Sequence, residues 1–172
     1  MREINVAGLD LVKAFEGIMD GDPTTVNLDP YLDPVGIWTI GWGHAFRGAD
    51  GKYLRGEGDR MRARACYPDG ITLAQAETLV RADLLDACRD VSLLVARPVT
   101  DNQFAALASF EFNCGGLRRS TVLRLLNDGA AVSTVAGQFT RWNKGGDPKT
   151  GKLVVLNGLT RRRRAEAALF LS

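Results

Sequence analysis

The sequence predicts an α+β fold, with a small irregular β lobe joined to a larger, mainly helical lobe in a single domain spanning residues 1–172. Three observations carry this. Residues 31–71 are glycine-rich with almost no helical periodicity, while Trp38, Ile40 and Trp42 alternate with Thr39, Gly41 and Gly43 at the period of a strand. From residue 72 onward, apolar residues recur at helical spacing behind two capping boxes. A further helical pattern precedes both regions.

The elements follow in order. Residues 5–19 read as a helix, with Asn5 as N-cap and Leu11, Val12, Phe15, Ile18 and Met19 at helical spacing. Asp20-Gly21-Asp22-Pro23 is its expected stop, since glycine and proline both end helices. Residues 20–30 are a polar loop, and Asp50-Gly51 is a hairpin-type turn within the β lobe. Thr72 with Gln75, and Thr100 with Gln103, have the spacing at which both side chains satisfy orphan helix N–H groups. The first pair opens a helix with Leu73, Ala76, Leu79, Val80 and Leu84 on one side; the second opens one with Phe104, Leu107, Ala108 and Phe110. Shorter helices cover 120–127, ended at Asp128-Gly129, and 130–140. Thr160 caps a last helix carrying Ala165, Ala168 and Leu169, and Trp142 is a core residue followed by a surface turn at Lys144–Pro148. The resulting division is a leading helix (about 1–19), a β lobe (about 20–71) and a helical lobe (about 72–172), with a cleft expected at the lobe junction.

Composition narrows the function classes. Hydrophobic residues make up 45% and charged residues 24%, enough to bury a core in a soluble chain, and no apolar run approaches a membrane span. Met1–Val6 lacks a secretory pattern, so the chain is expected to start in the cytoplasm. Net charge is +2 but segregated: residues 118–172 hold 11 basic and 3 acidic side chains, against 11 and 17 in residues 1–117. A basic C-terminal part suits a polyanionic partner such as nucleic acid, an acidic membrane face or a cell-wall polymer. The run Arg161–Arg164 cannot form one flat patch, because successive helical positions turn by about 100°, so at least one arginine must face inward or bridge to an acid. No zinc-finger, helix-turn-helix or aromatic RNA-binding signature accompanies it, which argues against nucleic acid. Cys66, Cys88 and Cys114, without a CxxC pair, read as reduced thiols. A single histidine argues against a standard zinc site.

The chemistry concentrates in Tyr31–His44, which puts a carboxylate, a hydroxyl and the lone histidine on one short turn-rich segment. Upstream, Glu16 sits at the edge of an apolar helical stripe, where half-burial would keep it protonated near neutral pH. Two acids, one on a helix and one on a turn, are what glycosidic hydrolysis uses. Each has a structural reading as well: Glu16 as a surface acid, Asp33 as a turn acceptor of backbone N–H groups, Thr39 as a strand former.

Together these residues resemble a specific family. Glu16-Gly17, Tyr31-x-Asp33 and Gly36-x-x-Thr39-Ile40-Gly41-Trp42-Gly43-His44 look like the active-site signature of the phage-type lysozymes, the muramidase endolysins of tailed bacteriophages. Gln103, Leu107, Phe110, Phe112-Asn113 and Gly115 match that family's central helix and following turn; Arg141-Trp142, Gly158-Leu159 and Arg162-Arg163-x-x-Glu166 match its C-terminal pattern. The resemblance implies a lysozyme-like fold with the active site in the interlobe cleft. It implies hydrolysis of the β-1,4 bond between N-acetylmuramic acid and N-acetylglucosamine in peptidoglycan, without cofactor or metal. Glu16 would act as the acid, with Asp33 and Thr39 holding the attacking water or stabilising the developing positive charge; a water-holding Thr39 favours inversion. Tyr31 and Asn113 would contact substrate, although Asn113 is equally a helix-terminating residue ahead of Gly115. His44 would be structural, paired with Asp83. The chain would be a monomer without a stable membrane anchor or nucleic-acid partner, held in the host cytoplasm until a holin pore releases it to the wall. One departure stands out. Sixteen residues separate Glu16 from Asp33, more than is common in the family, so residues 20–30 look like an insertion. Asp22 and Asp29 compete as the second acid, but neither keeps the spacing to Thr39.

Overall fold

In the computed structural model, which describes residues 2–147 and 150–172, the elements follow in chain order. They are α1 (Val6–Glu16), β1 (Tyr31–Leu32), β2 (Trp38–Ile40), β3 (His44–Ala45), α2 (Arg60–Cys66), α3 (Leu73–Asp83), α4 (Leu85–Leu94), α5 (Asp101–Cys114), α6 (Thr121–Asn127), α7 (Val132–Phe139), β4 (Lys144–Gly146), β5 (Leu153–Val155) and α8 (Asn157–Leu171). Met1, the first residue of the stretch read for a signal, and Pro148, the last of the expected surface turn, lie outside the described residues. The chain divides into two compact units: Met1–Phe15 with Leu84–Ser172, and Glu16–Asp83.

The helix starts are set by side chains that satisfy free amides. Asn5 Oδ1 accepts the Gly8 amide at 2.9 Å. Thr72 and Gln75 cap α3 reciprocally, the Thr72 amide donating to Gln75 Oε1 at 2.8 Å and the Gln75 amide to the Thr72 hydroxyl at 3.2 Å. Thr100 and Gln103 do the same at α5, and the Ser120 hydroxyl accepts the Leu123 amide at α6. Three helix boundaries differ from the sequence reading. The first helix ends at Glu16, not Met19, because Gly17 adopts φ +69° and breaks it at once; Ile18 and Met19 are exposed. The helix expected from residue 72 to Leu84 ends at Asp83, and beyond the buried Leu84 a further helix, α4, follows that the sequence reading did not include. The last helix starts at Asn157, so the Thr160 hydroxyl lies inside its first turn and donates to the Leu156 carbonyl rather than capping it.

The unit Glu16–Asp83 is built on an antiparallel sheet in the order β1-β2-β3, with Tyr31 opposite Thr39 and Ile40 opposite His44. Trp38, Ile40, Phe46, Leu54, Ala63, Ile71 and Ala76 form its core. Ala63 comes from α2 and Ala76 from α3, so both helices belong with the strands, and the stretch to residue 71 is less purely β than expected. The long 20–30 loop is tied down. Asp20 Oδ1 accepts the amides of Asp22 (3.1 Å) and Asp29 (2.9 Å), and Leu28 exchanges backbone bonds with Ile71. Gly21 has no alternative there, since a Cβ would sit 2.0 Å from the Pro30 carbonyl oxygen.

The other unit is organised by α5, which buries seven consecutive residues, Phe104–Phe110. A helix apolar all round has to be surrounded, and α4 and α8 pack against it. Phe110 meets Phe139 and Trp142 edge-on at 5.4 and 5.3 Å. Trp142 therefore joins the aromatic cluster, while the expected surface turn after it is strand β4 of a two-stranded ribbon with β5. The arginine run resolves as its geometry requires. Arg161 and Arg164 are exposed, while Arg162 and Arg163 turn inward to Glu166. The buried charges are thus paired, and the Ser109 hydroxyl donates to Glu166 Oε1 at 2.8 Å.

Candidate active site

The geometry of Tyr31, Asp33 and Thr39 follows from one hairpin. Register places Tyr31 directly across from Thr39. Asp33 is two residues beyond Tyr31 and opens the turn just past the end of β1. Its amide donates to the Ile37 carbonyl at 2.9 Å, continuing the ladder. The diagonal pair Asp33–Thr39 then falls at the cross-strand spacing of about 7–8 Å. The turn between the strands depends on Gly36 at φ +80° and on the Asp33 side chain. Asp33 Oδ1 accepts the Val35 amide at 2.9 Å and the Ile37 amide at 2.7 Å. Those two bonds fix the carboxyl group while its second oxygen, Oδ2, takes no hydrogen bond from the described residues. The turn role of Asp33 and a chemical one are thus divided between two oxygens.

Thr39 is buried at 4% exposure, and its hydroxyl donates to the Ile37 carbonyl at 3.1 Å. With its one proton committed, the hydroxyl oxygen faces any further partner only as an acceptor.

Glu16 is the last residue of α1 and is exposed, not half-buried as its place beside the apolar stripe suggested. The helix ends there, so no further turn shelters the carboxylate. Immediately afterwards Met19 bridges to Gly41, which draws the chain leaving α1 onto the Ile40–His44 turn. Gly43 in that turn lies close to the Glu16 carboxylate: a Cβ at Gly43 would be 3.9 Å from Oε2. The half-buried Tyr31 links the two acids electrostatically. Burial raises its phenol above the ordinary value of 10.0, and the charges of Asp33 and then Glu16 raise it further. Glu16, Tyr31, Asp33 and Thr39 therefore belong to one neighbourhood within one unit.

Of the competing acids, Asp22 and Asp29 are consumed by their own loop. The Asp22 pKa lies below the ordinary carboxylate value because the Thr24 hydroxyl and amide both donate to it. Asp29 Oδ2 accepts the Thr25 hydroxyl at 2.6 Å.

His44 Nδ1 lies 3.0 Å from Asp83 Oδ2 and 3.1 Å from Oδ1, joining β3 to the end of α3. An open groove of about 650 Å³ beside the pair is lined by Phe46, Arg47, Cys66 and Tyr67. Asn113 belongs to the other unit, where its Oδ1 accepts from Arg163 Nη2. The helix stop at that point is Gly115, in the left-handed conformation at φ 55°. Cys66, Cys88 and Cys114 are all free thiols. Among the described residues no three His, Cys, Asp or Glu side chains gather closely enough to hold a metal ion, and no helix is long and apolar enough to cross a membrane.

Sequence reasoning missed two contributors. Gly43 was visible as a glycine of the strand-like alternation and of the family signature, and only the structure shows that its missing side chain leaves room beside Glu16. Arg163 was visible as one of four arginines, and only its inward rotation reveals it as the group that holds Asn113.

A family model described as "Phage lysozyme" matches residues 21–166. The endolysin of Acyrthosiphon pisum secondary endosymbiont phage 1 is 33% identical over 171 residues, covering 98% of both chains. The endolysin of Bacillus phage B103 is 36% identical over 171 residues, covering 98% of this chain and 54% of that protein, so the chain spans about half of this longer relative. The solved endolysin from Escherichia coli O157:H7 phage FAHEc1 superposes with TM-score 0.75 at 32% identity, covering 99% of this chain and 94% of that one.

Proposed function

The chain belongs to the phage lysozyme family, and from that membership we propose that it is an endolysin that hydrolyses the β-1,4 bond between N-acetylmuramic acid and N-acetylglucosamine in peptidoglycan. The observation that carries the proposal is the hairpin that sets Tyr31 opposite Thr39 with the Asp33 carboxylate fixed at its turn, in the same unit as Glu16 beside Gly43. Glu16 protonates the leaving glycosidic oxygen. Water is held by two acceptors, Asp33 Oδ2 and the Thr39 hydroxyl oxygen, whose own proton is given to Ile37. A water donating one hydrogen to each keeps a lone pair free for the anomeric carbon. As the glycosidic bond breaks, its electron pair passes to the leaving oxygen, which takes the Glu16 proton. The attacking water's proton passes to Asp33, and the configuration inverts. Tyr31 borders this water, Asn113 adds a substrate contact, and His44 with Asp83 holds β3 in place.

Release from the host cytoplasm through a partner pore, action as a monomer and the absence of any stable anchor complete the reading. A lytic transglycosylase would use a single acid and form an anhydro product without water; paired acceptors for a water have no use in that chemistry. A wall-binding module without catalysis has no use for the two acids. Digestion of purified peptidoglycan distinguishes all three. The expected products are muropeptides with reducing N-acetylmuramic ends, first formed as the α anomer by NMR. Anhydro ends, or no products at all, would refute hydrolysis.

A further inference from the structure

The ribbon β4–β5 displays an apolar face that the catalytic reading does not use. Leu153 and Val155 are two residues apart on β5, hence on one face, and are 72% and 55% exposed. Their cross-strand partners do not cover them. Leu153 stands opposite Gly146, which has no side chain, and Val155 stands opposite the exposed Lys144. On the other face Leu156 closes over Gly145, where a Cβ would meet its Cδ1 at 2.6 Å, and Val154 and Leu156 there are less exposed, at 37% and 39%. The free face thus consists of two aliphatic side chains with a lysine directly beside one of them. Lys152 is also exposed at the start of β5, and Asp147, which receives the Thr150 amide at the turn, is the nearby acid. Just beyond, α8 exposes Arg161 and Arg164, within a segment that carries 11 basic and 3 acidic residues.

A two-stranded ribbon with exposed aliphatics is marginal in water, since nothing repays their exposure. An aqueous partner of ordinary polarity would gain nothing from Leu153 and Val155, and a neutral apolar one nothing from the lysines. An anionic lipid surface uses both: the aliphatics enter the acyl boundary while the cations remain among the headgroups. We infer that the β4–β5 ribbon is a peripheral docking surface for anionic phospholipid bilayers, binding reversibly through Leu153, Val155, Lys144 and Lys152. It holds the enzyme at a membrane face without anchoring it. The attachment is separate from the catalytic residues, because all four side chains lie outside Glu16–Asp83.

Vesicle co-sedimentation tests this with the intact chain. Phosphatidylcholine vesicles containing phosphatidylglycerol are compared with vesicles of phosphatidylcholine alone, and thermal midpoints and clearing of purified peptidoglycan are measured beside them. Wild-type protein is expected to bind the anionic vesicles and not the neutral ones. Leu153→Ser/Val155→Ser is expected to weaken binding at least tenfold, and Lys144→Gln/Lys152→Gln roughly fivefold per lysine. Both double variants should keep the thermal midpoint and the clearing rate. Three results would each overturn the inference: no binding to anionic vesicles; binding unchanged by the serine variant, which would make it general electrostatics; or wild-type self-association by light scattering that the serine variant abolishes, which would give the face to a second copy. Because the vesicles contain no peptidoglycan, a failure here leaves the hydrolase proposal standing, and the reverse holds as well.

Discussion

Gly41→Ala should be among the most damaging small substitutions in the Glu16–Asp83 unit, and its cost divides into two separable parts. Gly41 sits at φ +61°, so a Cβ first imposes the left-handed penalty of about 1–2 kcal/mol. That Cβ would also lie 2.9 Å from Ala76 Cβ, on the helix that closes the same core, and overpacking of this kind costs about 1–3 kcal/mol. The expected total is about 2–5 kcal/mol. Gly43→Ala provides the comparison, since it carries φ +86° but its Cβ would meet nothing closer than Glu16 Oε2 at 3.9 Å. It should cost only the backbone part, about 1–2 kcal/mol. Ala76→Gly alone should cost about 1 kcal/mol from helix propensity. Combined with Gly41→Ala it should recover the steric part, leaving a favourable coupling of about 1–3 kcal/mol. Urea unfolding followed by fluorescence reads the cycle directly, because Trp42 lies in the turn and Trp38 on the strand before it. Equal costs at Gly41 and Gly43, or a coupling indistinguishable from zero, would refute this packing of the turn against α3. The turn also positions Glu16, so Gly41→Ala protein that remains folded should clear peptidoglycan more slowly than its folded fraction accounts for.

Other expectations test separate parts of the account. Lytic activity on whole cells should fall as salt rises through the range where the Debye length drops below about 10 Å, because attraction of the basic segment to an acidic envelope is screened; a flat profile removes that attraction. Burial raises Tyr31 above 10.0, so its contribution to stability is fully present below that pH and is lost as pH climbs through the raised folded value. Tyr31→Phe should therefore flatten the loss of stability at alkaline pH, and identical alkaline profiles for the two proteins would contradict the buried phenol. Burial likewise pushes up the Cys88 and Cys114 thiols, whereas Cys66 is exposed. Cys66 should react promptly with a disulfide reagent, the partly buried Cys114 more slowly and the buried Cys88 only on unfolding; three equally fast thiols would contradict this core.

What was legible in the sequence and what was not divides by the range of the interaction. The caps at Asn5, Thr72 and Thr100 join residues three apart, so their spacing alone announces them. The alternation that starts at Trp38 announces the central strand in the same way, although β2 ends at Ile40 and Gly41 and Gly43 belong to the turn at positive φ, and the inward turn of the arginine run follows from helix geometry. Asp83 as the partner of His44 spans 39 residues and was legible only through the family resemblance. The end of α1 was misplaced because Ile18 and Met19 continue the apolar rhythm, while the decisive residue is Gly17, whose positive φ leaves no trace in a hydrophobic pattern. Helix α2 was invisible because it buries only Ala63 and shows arginines elsewhere. The β4–β5 ribbon was hidden by Gly145 and Gly146, which carry no strand preference; its pairing exists only in three dimensions. The same limit applies at the candidate site. The residue types and the Asp33–Thr39 spacing can be read from the chain, but the division of labour between the two Asp33 oxygens and the committed proton of Thr39 cannot.

The central claim is that Glu16 supplies the proton for glycosidic cleavage. Turbidity clearance of a purified peptidoglycan suspension by Glu16→Gln protein, with peptidoglycan pull-down and thermal unfolding measured on the same sample, addresses it directly. The account predicts a folded protein that still binds the wall but clears it at least a hundredfold more slowly, the scale of a lost general acid. Clearance at the wild-type rate would contradict it.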